Sequence, residues 1–247
     1  MIDDPDFATE GAFDHLVVMV RDRLDPIAAD FTAAGYELGE TTRHDIGSIN
    51  RLVVLDAAYV ELLGWPPGAP PPRPEIAERP IGMDALVFRS VDATATSRRL
   101  RAAGFDVTDA MPLRRPTRVA GRAVEARFAT GRFKVQPLAG IRVYFCQHLT
   151  PEYVWTAAAR AHPNGARELA SISLAAADPD ACAALIGAML PSARRDPSTG
   201  NSIELPNLAL RIDAAGAGSD GVRISAAEVR GADGRLASLP DARRGQS

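Results

Sequence analysis

Cysteine is almost missing from this sequence. Two occur in 247 residues, Cys146 and Cys182, too few for a disulfide framework. Both sit in apolar surroundings (VYFCQ and DACAAL), where a reduced, buried thiol is expected. Aromatic residues make up 6% of the chain, which counts mildly against a pocket that stacks flat ligands. A basic excess is also lacking. The chain carries 28 Lys and Arg against 31 Asp and Glu, so no positive field is available to neutralise phosphates, and nucleic acid is excluded as the default partner. No apolar run approaches the ~20 residues that span a bilayer, which excludes a membrane partner. The opening MIDDPDFATE is acidic and has no apolar segment of the secretory kind. A cytoplasmic protein is the resulting expectation. There is no Walker-type glycine loop, dinucleotide fingerprint, CxxC pair or GxSxG elbow.

What is present is a globular composition, 46% hydrophobic and 24% charged, and a repeat. Residues 13–65 open with FDHLVVMV and then LDPIAADFTAAGYEL. Residues 81–166 contain MDALVFRS and then VDATATSRRLRAAGFDV. Residues 167–239 contain LASISLAA and then ADPDACAALIGAML, a more degenerate third copy. Each is a strand-length apolar run followed by an amphipathic stretch of helix length. Asp25, Asp92 and Asp178 stand at or near the expected helix starts, two of them followed by proline, as capping chemistry favours. AAGY and AAGF put glycine where a helix end needs a left-handed residue. Shorter strands follow in each copy: ELGETTRH, NRLVVLD and AYVELLGW, VEARFATG and IRVYFCQHL, NSIELPN, LALRIDA and GVRISAAEV. Residues 106–121, rich in proline and arginine, fit neither pattern clearly. Residues 66–80 read as a stiff proline-rich linker, and 240–247 as a frayed polar tail. The expected architecture is α+β: repeated β-α-β-β-β modules whose curved antiparallel sheets surround a cavity, with helices outside.

Two polar residues break the apolar pattern. His15 is the third residue of FDHLVVMV, where it is either a satisfied core histidine or a cavity residue. Glu61 lies in AYVELLGW with apolar neighbours on both sides. A carboxylate there must be paired, protonated or metal-bound, because isolated burial is costly; Arg51 is one candidate counter-ion.

The repeat, with His in DHLVV and Glu in YVELL, resembles the vicinal oxygen chelate superfamily, which includes glyoxalase I, extradiol dioxygenases and bleomycin- and fosfomycin-resistance proteins. The nearer resemblance is to glyoxalase-like domains, carried by FDHLVVMV, RHDIGSIN running into RLVVL, AYVELLGW, YFCQHLTPEYVW and HPNGA, within residues 13–166. The resemblance implies that the first and last strands of a unit lie side by side and that His15 and Glu61 both face inward as metal ligands. Ala85 stands where the second copy would carry its histidine, which argues against ordinary glyoxalase I activity. A third ligand falls to Gln147 or His148. Adjacent strand residues point to opposite faces, so only one enters the cavity unless a bulge intervenes. His148 is favoured over the amide of Gln147; its other reading is a cap on the LTPEYVW turn. A set of His15, Glu61 and His148 suits Fe, with Mn, Zn or Ni as other divalent metals.

The RHDIGSIN loop borders the cavity in the resembled family. Asn50, Arg51 and Gln147 are thereby candidate substrate contacts, Arg51 as a charged partner for a carboxylate or enolate oxygen. His44 reads as a solvated loop histidine, with a proton shuttle as the other reading, and His162 as a surface turn residue. The arginine runs LRRPTR and SARRD read as solvated faces. Two functions follow. One is a metal-dependent lyase, isomerase or dioxygenase that works through an enolate on a small molecule with vicinal oxygens, with Glu61 or the neighbourhood of Gln147 as the candidate base. The other is a metal-free small-molecule or antibiotic binder of resistance type. Either cavity closes within one chain or across a homodimer.

Overall fold

The structure is a computed structural model that describes residues 8–44, 47–71, 73–195, 202–216 and 218–243. Strand β1 (Phe13–Arg21) leads into helix α1 (Leu24–Ala33), then β2 (Thr42–Arg43), β3 (Ile49–Val54) and β4 (Tyr59–Gly64). A one-turn helix, α2 (Pro74–Ala77), interrupts the proline-rich segment, with Pro74 at a position whose N–H has no helical partner. Then come β5 (Gly82–Arg89), α3 (Ala93–Ala102), β6 (Met111–Val119), β7 (Arg122–Arg132) and β8 (Arg142–His148). The remainder is β9 (Ala166–Ala176), α4 (Pro179–Met189), β10 (Arg194–Arg195), β11 (Ser202–Leu205), β12 (Leu208–Ala214), β13 (Val222–Gly231) and β14 (Leu236–Ser238).

The helices form for local reasons. Helix α1 buries Leu24, Ile27, Ala28 and Phe31, one face at helical spacing. Asp92 and Asp178 accept hydrogen bonds from the first backbone N–H groups of α3 and α4. Asp25 instead lies inside the first turn of α1 and makes no cap. Gly35 and Gly104 end α1 and α3 at φ of 82° and 90°, a left-handed conformation that a side chain would disfavour.

The strands make an eight-stranded sheet, β2-β3-β4-β1-β5-β8-β7-β6, and a six-stranded sheet, β10-β11-β12-β9-β13-β14. The eight-stranded sheet curls nearly closed around a cavity, giving an α+β fold. Most pairs are antiparallel, but β1 with β4, β5 with β8, and β9 with β12 are parallel. The helix after each first strand is the crossover that a parallel pair requires. Strand β6 occupies the stretch that fits no pattern in the sequence. It is an edge strand, where Pro112 and Pro116 cost little because no ladder partner is needed on that side.

One apolar cluster joins the backs of both sheets through α1 and α4, with Phe31, Ile172, Ile186 and Leu210 at its centre. A second lines the concave side of the large sheet, with Val17, Leu63, Phe128 and Trp155. The small sheet also grips β1 directly. Asn207 accepts from the Phe13 N–H and donates to the Phe13 carbonyl, both at 2.8 Å.

Candidate active site

Strands β1 and β4 run side by side with Val17 opposite Glu61, so the face of β1 that carries His15 and Val17 meets the face of β4 that carries Glu61. His15 Nε2 lies 3.8 Å from Glu61 Oε2 and 3.0 Å from the Tyr144 hydroxyl on β8. The His15 ring stacks on Tyr59 with centroids 4.3 Å apart. His15 and Glu61 are 3% and 7% exposed, and both border a cavity of about 680 Å³. Its walls come from both halves of the sheet, β3, β4 and β1 on one side and β6, β7 and β8 on the other. Arg73, Pro74 and Ile76 of the proline-rich segment also border it.

Glu61 is held by a chain of hydrogen bonds. Asn50 Nδ2 donates to Glu61 Oε1 at 2.6 Å. The Thr42 hydroxyl donates to Asn50 Oδ1 at 2.5 Å, and Arg115 Nη1 donates to the Thr42 oxygen at 3.4 Å. Burial pushes the Glu61 carboxyl upward. His15, His44, the Asn50 amide and Arg115 together outweigh it and hold Glu61 below the usual carboxylate value. Burial raises the Tyr144 and Tyr59 phenols well above the ordinary tyrosine value, and nearby carboxylates add to it. The site therefore combines an ionised carboxylate, an imidazole and protonated phenols.

A bulge in β1 adds a fifth group. Phe13 pairs with Phe88 and His15 with Val87, so Asp14 is the extra residue. The bulge brings two successive side chains to one face. Asp14 Oδ2 is 3.6 Å from His15 Nδ1, a nitrogen with no hydrogen-bond partner. Asp14 is fully buried, and it accepts from His148 Nε2 at 2.7 Å. Burial would raise its carboxyl, but charge and hydrogen bonds from His148 and His15 drive it far below the usual range.

The structure brings His15, Glu61 and Asn50 together at the cavity. It places three other candidates elsewhere. His148 lies on the same face of β8 as Tyr144, as strand alternation requires, but it is claimed by Asp14 and caged by the Phe128 and Trp155 rings. Gln147 points the other way, accepting from Ala93 N–H at 3.1 Å and donating to the Val91 carbonyl at 2.8 Å, so it fastens the start of α3. Arg51, on the opposite face of β3 from Asn50, donates to the Gly39 and Leu38 carbonyls. Two histidines read from sequence as solvated are buried. His44 borders the cavity, bonded to Ser48 Oγ at 2.8 Å. His162 accepts from Glu37 N–H at 3.0 Å and contacts the Val54 carbonyl at 2.9 Å, tying loops together. Arg115, from the LRRPTR run read as a solvated face, is 5% exposed and borders the cavity. The missed signal was alternation: Leu113, Arg115 and Thr117 face inward while Arg114 and Arg118 face out.

The donors do not fit a metal held by His15, Glu61 and His148. Strand β5 offers only Ala85, β8 offers the protonated Tyr144, and His148 is bound to Asp14. Among the described residues, one group of three metal-type side chains does converge: Asp14, Cys146 and His148, each with a ligand atom within 4.8 Å of the others. There, Asp14 and His148 already satisfy each other, and burial keeps the Cys146 thiol protonated, far from the thiolate a metal needs.

A curved mixed sheet with histidine and glutamate from adjacent first and last strands facing a cavity is the fold of the vicinal oxygen chelate superfamily. The family profile described as a glyoxalase-like domain matches residues 13–190, and the chain belongs to that family. Among solved structures, a hypothetical protein from Staphylococcus aureus superposes with a TM-score of 0.64 at 13% identity, covering 92% of this chain and 98% of that one. A xylose isomerase-like TIM barrel/4-hydroxyphenylpyruvate dioxygenase fusion protein gives 0.56 at 12% identity, over 90% of this chain and 37% of that one. A methylmalonyl-CoA epimerase in complex with methylmalonyl-CoA and NH4+ gives 0.41 at 19% identity, over 57% and 96%. The first two are likenesses of fold alone. No curated protein matches the sequence. No helix among the described residues is long and apolar enough to cross a membrane.

Proposed function

We propose that the protein is a glyoxalase-like enzyme that acts on a small molecule with vicinal oxygens through an enolate-type intermediate. Glu61 takes a proton from the carbon beside a substrate carbonyl, and the C–H electron pair moves into the enolate. The Tyr144 phenol donates to the oxygen that becomes negative, a role suited to a buried, protonated group. His15, between Glu61 and Tyr144, shares their protons, with the Asp14 carboxylate facing its other nitrogen. Return of the proton from Glu61 to the former carbonyl carbon completes an isomerisation: the enolate oxygen takes the Tyr144 proton, and the adjoining hydroxyl gives up its own through His15, which restores Tyr144. Asn50 holds Glu61 in place and keeps it ionised.

The observation that carries this reading is the meeting of a buried ionised carboxylate, an imidazole and a protonated phenol in one cavity. Its test is solvent-deuterium exchange into carbonyl probes (dihydroxyacetone, methylglyoxal and pyruvate), followed by NMR. Wild type should accelerate exchange in at least one probe. Glu61→Gln should lower that rate by about a thousandfold, within the usual range for general acid–base groups. Equal rates in wild type and Glu61→Gln would refute the assignment.

The second reading, a metal-free small-molecule or antibiotic binder of resistance type, is favoured by Ala85 and by the capture of His148 by Asp14. Tight ligand binding without exchange in any probe would select it. The metal question has a separate readout. Metal in protein purified without chelator should vanish with His15→Ala if a divalent ion sits in the cavity, and with Cys146→Ser if it sits in the buried trio.

A further inference from the structure

The cavity wall is rich in cations although the chain as a whole is net acidic. Six arginine or lysine side chains border it against three glutamates. Most of the six are neutralised. Arg73 pairs with Glu75, Arg79 and Arg142 share Asp84, and Lys134 pairs with Asp106. Among the described residues, Arg115 and Arg132 make no close ion pair; Glu61 acts on Arg115, and Glu75 on Arg132, only at longer range. Arg115 makes one long hydrogen bond, to the Thr42 hydroxyl, and lies over the Phe128 ring at 6.0 Å. Arg132 lies over the Tyr144 ring at 5.9 Å. A guanidinium has five N–H donors, and a buried charge needs a partner. None of the Arg115 nitrogens is sealed in the protein without a partner, so its unused donors open onto the cavity.

We propose that the substrate carries a carboxylate and that Arg115 is its binding residue. The planar fork of a guanidinium matches the two oxygens of a carboxylate. The hydrogen-bond chain from Arg115 through Thr42 and Asn50 to Glu61 sets this subsite beside the base. A carboxylate on Arg115 therefore leaves the adjoining oxygen-bearing carbons near Glu61, His15 and Tyr144. The wall between is apolar, with Leu113 and Phe128, which suits a short carbon skeleton. The substrate class is a small organic acid. This assignment of substrate rests on the proposed function; the anion site itself does not.

The test is binding to the whole protein, measured by calorimetry and thermal shift. The probes are glycolate, pyruvate, succinate and phenylpyruvate, each beside its amide, together with inorganic phosphate. At least one acid should bind tenfold or more tightly than its amide. Arg115→Gln should weaken that acid by about a hundredfold and leave the amide unchanged. Should Arg115→Gln fail to fold, Arg115→Lys keeps the charge but loses the fork, and about a tenfold loss is expected from it. Acids that bind no better than their amides, or acid binding indifferent to both Arg115 variants, would overturn the proposal. Phosphate binding more tightly than every acid would overturn the choice of carboxylate. Wild type separates the two readings: an acid that binds through Arg115 while wild type exchanges deuterium into no probe leaves the anion site standing and removes the enzyme.

Discussion

The two sheets of this protein repeat one strand plan and use it for opposite ends. In the large sheet the bulge at Asp14 fixes His15 opposite Tyr59 and Val87. In the small sheet an equivalent bulge at Ala170 fixes Ser171 opposite Ala209 and Glu228. By that register Ser171 corresponds to His15, Arg211 to Glu61 and Glu228 to Val87. The backs of both sheets are apolar and buried. Their other faces differ. On the large sheet, a second set of strands, β5 to β8, curls around and encloses that face. The small sheet has only β13 and the short β14 in that place, and its polar face stays open, with Arg211 exposed and Glu228 partly so. Glu228 still takes bonds from Ser171 at 2.6 Å and Arg211 at 2.8 Å. Similar registers thus set a buried carboxylate beside a cavity only in the large sheet. Enclosure strengthens every charge interaction that water would otherwise screen.

The sharpest way to break the comparison is at the bulge, where the large sheet carries Asp14 and the small sheet carries alanine. Asp14→Ala leaves His148 in an aromatic cage without its carboxylate. It should destabilise the protein by about 3–5 kcal/mol, the usual cost of breaking a buried pair. The folded-state pKa of Asp14 lies below its ordinary 3.8, so its contribution is complete above that value and disappears as pH falls below it. Glu61, lowered from 4.5, acts in the same direction. Urea midpoints should therefore fall as wild type is taken from pH 6 to pH 3, and less steeply in Asp14→Asn. An equally steep fall in that variant would remove Asp14 from the explanation.

A smaller effect sharpens the catalytic half. Tyr144→Phe keeps the ring, its stacking and its burial, and removes only the hydroxyl that touches His15. With the proton-transfer reading, turnover of an exchanging probe should fall about a hundredfold, near 2.7 kcal/mol, with KM almost unchanged. A change in KM alone would make Tyr144 a binding group and leave the oxyanion without its donor.

Much of this arrangement was legible in the residues. The repeat, the capped helices and the α+β class follow from apolar periodicity and from Asp, Pro and Gly at element ends. His15 and Glu61 stood out because each is a polar interruption of an apolar strand. The rest was hidden for identifiable reasons. Asp14 reaches the cavity side only through a bulge, which strict alternation cannot anticipate. Tyr144 reads as an ordinary core aromatic, since nothing in RVYFCQ tells a phenol facing a cavity from one packed in a core. Arg115 is one arginine among several on a proline-containing edge strand. Composition assigns such a run to solvent, whereas alternate residues of the strand turn inward. His148 and Gln147 illustrate the opposite case. Alternation sorted them onto different faces, but the partner that captures His148 sits 134 positions away, beyond any local pattern.

The smallest expected effect belongs to the small sheet. Glu228→Gln keeps an acceptor for the Ser171 hydroxyl and deletes the charge that pairs with Arg211. Glu228 is held below the usual carboxylate value first by the Ser171 hydrogen bond and then, against some burial, by Arg211. The pair is open to water, its side chains 52% and 29% exposed, so most of the attraction is screened. Stability should change by less than about 0.5 kcal/mol, and probe exchange should not change at all. The same conversion at Glu61 should abolish exchange, so the two variants apply one chemical change to the enclosed and the open face. A loss of exchange in Glu228→Gln would mean that the open face takes part in the proposed reaction, and its assignment to the cavity of the large sheet alone would fall.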